Sequence, residues 1–200
     1  MRDVIILAAG PSVLKYNLRD LEKRGFLIAV NGAAAYSKPQ VALTMDRKVA
    51  EFFQEIWRVQ GVPKIYLRSC IVRSFTPADN MILFQNTDEL DLTDEEGKLN
   101  GDSSGTCALN LAYQMRPERI FLIGYDMQRG EENRPYWFPP YEWNVVGAAR
   151  NGTYGMWAKE YQTLRKKLDA ANISVFNVNY RSVITTFPQI SFEQFLEMTK

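Results

Sequence analysis

"IILAAGPSVL", residues 5–14, decides how the rest of the chain is read. Val4 to Leu7 is a continuous apolar run, as a strand buried on both faces requires. It breaks at Gly10-Pro11-Ser12. Beyond the break, Val13, Leu14, Leu18 and Leu21 recur at helical spacing up to Lys23-Arg24-Gly25. Basic residues and glycine are stop signals for a helix. The corner therefore sits where a buried strand hands over to a helix, close to the N-terminus, and that placement raises the question of a ligand.

The same grammar repeats downstream. "FLIAV" (26–30) ends at Asn31-Gly32, and "VALTMD" (41–46) and "KIYLRS" (64–69) read as further buried strands. "NMILFQN" (80–86) reads as a fifth. Residues 47–59 predict a helix with Val49, Phe52, Phe53 and Ile56 on one face, and 103–115 predict a second. "RIFLIGYD" (119–126) is another apolar strand, a helix is expected over 154–170, and "ISVFNVN" (173–179) closes the sheet. A short helix is expected after Ser191. Residues 86–102 are acidic and read as an exposed loop. Apolar strands alternating with helices predict an α/β protein: a doubly wound, mainly parallel, Rossmann-like sheet with helices on both faces. One domain over residues 1–200 is expected. Within it, 128–152 holds Pro135, Pro139 and Pro140 among Tyr136, Trp137, Tyr141 and Trp143. So long a stretch of that composition reads as a lid over a binding site.

Composition narrows the chemistry. The formal net charge is +1, so nothing indicates sequence-independent nucleic-acid binding. No apolar run approaches the ~20 residues of a membrane span. The first residues read as strand, with no h-region and cleavage site, and Cys70 and Cys107 form no CxxC pair. These features read as a cytoplasmic protein with reduced thiols. There is no histidine, so an imidazole base and a histidine-built metal site are both excluded.

In an open parallel sheet, ligands bind at the carboxyl ends of the strands. Those ends deliver Gly10, Pro11 and Ser12, then Asn31 and Gly32, then Asp46, and then Gly124, Tyr125 and Asp126. The helix near Ser103 adds Ser104, Gly105 and Thr106. Glycine admits backbone close to an anion, hydroxyls donate, and a helix start favours negative charge. The set suits a nucleotide or another phosphate ester. Each residue also has a plain structural reading: a turn at Gly10-Pro11-Ser12, N-caps at Ser12, Asp46 and Ser103, a solvated loop at Asp126. No GxGxxG and no GxxxxGK[ST] is present.

Taken in order, "IILAAGPSV", "AVNGAA", "DSSGTCALNLAYQMRPERIFLIGYDM" and "NVNYRSVITTFP" resemble successive motifs of the family 42 sialyltransferases. The wider group sharing that fold includes archaeal 6-hydroxymethylpterin pyrophosphokinases and bacterial flagellin-glycosylation proteins. The resemblance implies that Gly10, Pro11 and Ser12 lie beside a nucleotide phosphate, that Asn31 touches ribose or base, that Ser104 and Gly105 approach from the other side, and that Asp126 sits near sugar or base. The chain departs from the family where its Asn between two glycines becomes Ala9, and where its first glycine becomes Ala8. The stretch matching the catalytic histidine is "GAARNGTY" (147–154). Of the two phosphate-binding tyrosines, one falls near Gln128 and the other has only Tyr136 as a loose counterpart.

The expected function is a nucleotide-dependent transferase, glycosyltransferase-like. It would use a nucleotide-activated donor (a CMP-sugar or other nucleotide sugar, or ATP) and a small-molecule or glycan acceptor. Arg134 or Arg150 would meet the phosphate charge, and Asp126, Tyr136 and Asp46 are candidates for the base. Pyrophosphoryl transfer from ATP is the alternative, with magnesium on Asp46 and Asp126. A non-catalytic nucleotide- or glycan-binding module is the other. The sequence predicts no resident metal site and leaves self-association open.

Overall fold

The computed structural model describes residues 2–21, 23–68, 81–86, 89–141 and 153–200. Seven strands form one sheet: β1 (Asp3–Leu7), β2 (Phe26–Val30), β3 (Val41–Thr44), β4 (Lys64–Arg68), β5 (Met81–Gln85), β6 (Arg119–Ile123) and β7 (Ser174–Asn177). Their order is β5-β4-β3-β2-β1-β6-β7, and every neighbouring pair is parallel. The doubly wound α/β expectation therefore holds. Leu7 of β1 stands opposite Ala29 on one side and Ile123 on the other. The chain leaves β1 toward β2 and returns later on the other side as β6, so the strand order reverses at β1. A crevice opens at the carboxyl ends of the strands at such a reversal.

Side chains of successive strand residues point to opposite faces, and the core divides accordingly. Val4 and Ile6 face α2 (Ser104–Gln114) and α3 (Thr153–Ala170). Ile5 and Leu7 face α1 (Arg47–Val59) and α4 (Phe192–Met198). At the far end of the sheet, the Arg119 guanidinium donates to both oxygens of buried Asp3, at 2.6 and 2.8 Å. This bidentate pair pins the β1–β6 register at the end opposite the crevice.

Three expectations are corrected. Residues 11–21 form no α-helix; they make two 3-10 turns, Pro11–Lys15 and Leu18–Leu21, and Leu14 is 52% exposed. Helix α1 has the expected bounds but presents another face. Val49, Ala50, Phe53 and Trp57 are buried, whereas Phe52 is 47% and Ile56 40% exposed. The small Ala50 and the bulk of Trp57 set its contact with the sheet. The acidic stretch 86–102 is not simply exposed. Leu92, Leu99, Asn86 and Asn100 are buried, and the Asn86 amide donates to the Leu99 and Gly101 carbonyls.

The expected lid is described as far as Tyr141. Trp137 bonds the end of β1 twice, its ring N–H to the Ala8 carbonyl at 2.9 Å and its backbone N–H to Ala9 at 3.2 Å. Phe138 is fully packed in the core. Residues 142–152, which include Arg150 and Trp143, lie outside the described residues, as does Cys70. Cys107 is buried. Among the described residues, no helix is long and apolar enough to cross a membrane.

Candidate functional site

A cleft of about 450 Å³ opens at the carboxyl ends of the strands, within the size range of small-ligand sites. Its floor is the end of β1 (Ala8 to Gly10) and the segment after β6 (Gly124 to Gln128). Asn31 and Asp46 close one side, and Asp102 to Gly105 bring in the start of α2. Tyr136, Tyr154 and Trp157 complete the walls. Of the residues singled out in the sequence, the cleft gathers Gly10, Asn31, Asp46, Ser104, Gly105, Asp126 and Tyr136.

The corner is built around Asp126. The β1–β6 ladder continues past both strands, with Ala8 N–H bonding the Ile123 carbonyl and Gly10 N–H the Gly124 carbonyl, each at 2.8 Å. Gly124 has a φ of +75°, which glycine adopts without strain. The turn carries the Asp126 carboxylate over Gly10, where a Cβ would lie 1.7 Å from Asp126 Oδ2. Glycine is needed there because a carboxylate occupies the space. The Ser12 hydroxyl donates to Asp126 Oδ2 at 3.0 Å, and the Asn179 amide donates to Oδ1 at 2.7 Å. Burial pushes the Asp126 carboxyl up to about 6, and the bonds from Ser12 and Asn179 pull the other way.

Four sequence candidates are placed behind the wall rather than on it. Pro11 is buried and starts the first 3-10 turn. Ser12 donates its hydroxyl proton to Asp126, and its turn starts from Gly10 with no side-chain cap, so Ser12 is not an N-cap. Gly32 lies against the Phe138 ring, and its N–H donates to the Tyr141 hydroxyl at 3.0 Å. Thr106 is buried in the α2 capping box, accepting from Ser103 N–H at 3.0 Å while Thr106 N–H reaches Ser103 Oγ at 3.1 Å. Asp46 has two roles. Its Oδ1 caps α1 by accepting from Lys48 and Val49, and the residue also lines the cleft. Arg134 donates through Nε to the Tyr136 carbonyl at 2.9 Å.

The start of α2 is the most polar part of the wall. The first N–H groups of a helix have no intrahelical acceptor. Ser103 takes up that of Thr106, whereas those of Ser104 and Gly105 meet no acceptor among the described residues. Ser104 Oγ accepts from Met45 N–H at 3.0 Å, tying the helix start to the end of β3 and leaving the hydroxyl proton available. The fully buried Tyr125 donates to the Gly105 carbonyl at 3.0 Å and holds the first turn from beneath. Across the cleft, Asn31 sits at a φ of +54°, and its Oδ1 accepts from Thr44 at 2.7 Å, so its NH₂ remains for the cleft. No lysine or arginine is among the described residues that line it.

Sequence reasoning missed Asn179, Asp102 and Trp157. Asn179 meets Asp126 only through the fold, 53 residues away. Asp102 had a local signal, an acid directly before a helix N-cap.

No protein-family model matches the chain, and no curated protein matches it. Among solved structures it is similar to the sialyltransferase CstII from Campylobacter jejuni, determined in complex with a substrate analogue, CMP-3FNeuAc. The TM-score is 0.54 at 12% identity, over 96% of this chain and 86% of that one. The chain thus shares the α/β fold of that structure.

Proposed function

We propose that the chain is a nucleotide-dependent transferase that takes a nucleotide-activated sugar, of the CMP-sugar class, as donor. The observation that carries this reading is the pair of open N–H groups, Ser104 and Gly105, facing the same cleft as Asn31 and Asp126. An anion on those N–H groups is stabilised by hydrogen bonding and by the helix dipole. A phosphate seated there brings a ribose across the floor toward Asp126. The Asn31 amide is placed to donate to a carbonyl or ring nitrogen of a base. That the fold is shared with an enzyme solved with a CMP-sugar analogue supports the same donor class.

Sugar transfer asks little of the protein beyond positioning, stabilising the leaving phosphate and removing one proton. The α2 start meets the phosphate charge, and Tyr136 and Trp157 offer ring surface to the sugar. Arg150 is proposed as a further phosphate partner. Residues 128–152 are proposed to cover the bound donor, with Trp137 holding the near end of that segment to β1.

A thermal-shift panel of CMP, UMP, GDP, ADP and ATP, with and without magnesium, tests the reading. A ligand at 100 times its dissociation constant adds about 2.7 kcal/mol of stability. CMP should stabilise without magnesium. No shift with any nucleotide overturns the proposal, and a shift with ATP that requires magnesium replaces it with pyrophosphoryl transfer.

A further inference from the structure

A transferase without histidine needs another group to take the acceptor proton. Three carboxylates line the cleft among the described residues: Asp46, Asp102 and Asp126. Asp46 is tied to the N-terminus of α1, and Asp126 to Ser12 and Asn179. Asp102 is exposed and makes no hydrogen bond or ion pair among the described residues. It directly precedes the Ser103 cap, two residues before the first open N–H of α2. Asp102 lines the same cleft as Ser104 and Gly105.

Behind this rim stands a second carboxyl. Glu160 lies on α3, three residues after cleft-lining Trp157, is only 6% exposed, and leaves its Oε2 without a partner. The groups facing it are Asp102 and Thr106 from the start of α2, and Tyr161 from its own helix. None of them is a cation.

Resting on the transferase reading above, we propose that Asp102 is the general base for the acceptor and that Glu160 is the positioning residue that tunes it. The Asp102 carboxylate removes the proton of the acceptor hydroxyl as the acceptor oxygen bonds to the anomeric carbon. The bond from that carbon to the phosphate oxygen breaks, and its electron pair leaves on the nucleotide phosphate. Asp102 then passes the proton to water. Burial first, and the charge of Asp102 second, push the Glu160 carboxyl up to about 7. Below that pH Glu160 is neutral. Above it, Glu160 carries a negative charge behind Asp102.

The experiment is nucleotide release from CMP-, UDP- and GDP-sugars with water as acceptor, alongside donor binding by calorimetry. A general base contributes about 10²–10⁴-fold. Asp102→Asn should lower kcat at least 100-fold, leaving donor affinity and melting temperature unchanged. Glu160→Gln should keep wild-type turnover below pH 6 and remove an inflection near pH 7 from the kcat profile. A purely structural role would lower kcat equally at every pH and overturn the tuning. Wild-type kcat in Asp102→Asn overturns the base. Donor binding without turnover by the native protein overturns the base and leaves the nucleotide site standing. No binding of any donor overturns both.

Discussion

Ser12 and Asp126, 114 residues apart, are joined by a hydrogen bond of 3.0 Å in which the serine hydroxyl donates to Oδ2. That bond locks the corner after β1 onto the turn after β6, across the reversal of strand order where the cleft opens. A hydrogen bond to a charged group is worth about 1.5–3 kcal/mol. Ser12→Ala should therefore lower stability by about that much at neutral pH. It should also raise the Asp126 pKa further above 6, since the lost bond favours the carboxylate. Chemical denaturation and a carboxyl NMR titration check the two effects. An unchanged Asp126 titration would show that the bond is not made in solution.

Gly10→Ala tests how tightly this corner is built. Gly10 has a φ of −61°, so alanine meets no backbone strain there. The added methyl would instead lie 1.7 Å from Asp126 Oδ2 and 2.4 Å from the Gly124 carbonyl oxygen. Side chain and backbone are both in the way, so the carboxylate must be displaced. The expected loss is about 3 kcal/mol or more, at the upper end of overpacking costs, together with nucleotide binding. Gly155→Ala is the contrast. Gly155 lies in α3, and a Cβ there would meet nothing within 4 Å. Alanine should stabilise it by about 0.5–1 kcal/mol, read from the same denaturation curves.

Much of this fold is legible in the sequence, where the signals are local. The apolar runs of β1, β2 and β6 need no partner to be recognised, and Asp46 announces α1 because an N-cap acts within its own turn. The helix expected over 13–21 failed because helical spacing alone does not show which side chains find a core. Only Val13 and Leu21 are buried there beside Pro11. In the site, the strand ends were legible from topology. What each residue does there was not, because Ser12, Gly32 and Thr106 are all claimed by neighbours. Ser12 and Gly32 bond residues more than 100 positions away, Asp126 and Tyr141. Nothing local in the sequence singles out Glu160, and only packing against the start of α2 makes it a buried acid.

Tyr141→Phe separates the structural role of Gly32 from a ligand-binding one. The tyrosine oxygen accepts the Gly32 N–H at 3.0 Å within a cluster that includes Phe138 and Tyr136. Removing it leaves a buried donor without an acceptor, which costs about 1–3 kcal/mol. Stability should fall by that amount. Nucleotide affinity, measured under conditions where the variant is fully folded, should stay within twofold. A large loss of affinity at unchanged stability would return Gly32 to the binding surface.

The pH dependence of stability follows from the two raised carboxyls, and its sign can be worked out. Asp126 titrates at about 6 in the fold against an ordinary 3.8, and Glu160 at about 7 against 4.5. Each native group holds its proton more tightly than the unfolded chain does. The stability each contributes is therefore fully present below the ordinary value and is lost as pH rises through the native one. For Asp126 the window is about pH 4 to 6, and for Glu160 about 4.5 to 7. At 1.36 kcal/mol per unit, a shift of about two units amounts to about 2–3 kcal/mol for Asp126. Asp126→Asn keeps the side chain's shape and cannot titrate. The stability of native protein minus that of Asp126→Asn should therefore fall by about 2–3 kcal/mol between pH 4 and 6 and stay flat above pH 7. Taking the difference cancels every other titrating group. Glu160→Gln should show the same downward slope displaced to higher pH. A difference that instead rose with pH would mean that the Asp126 carboxylate is stabilised by the fold, with the bonds from Ser12 and Asn179 outweighing its burial.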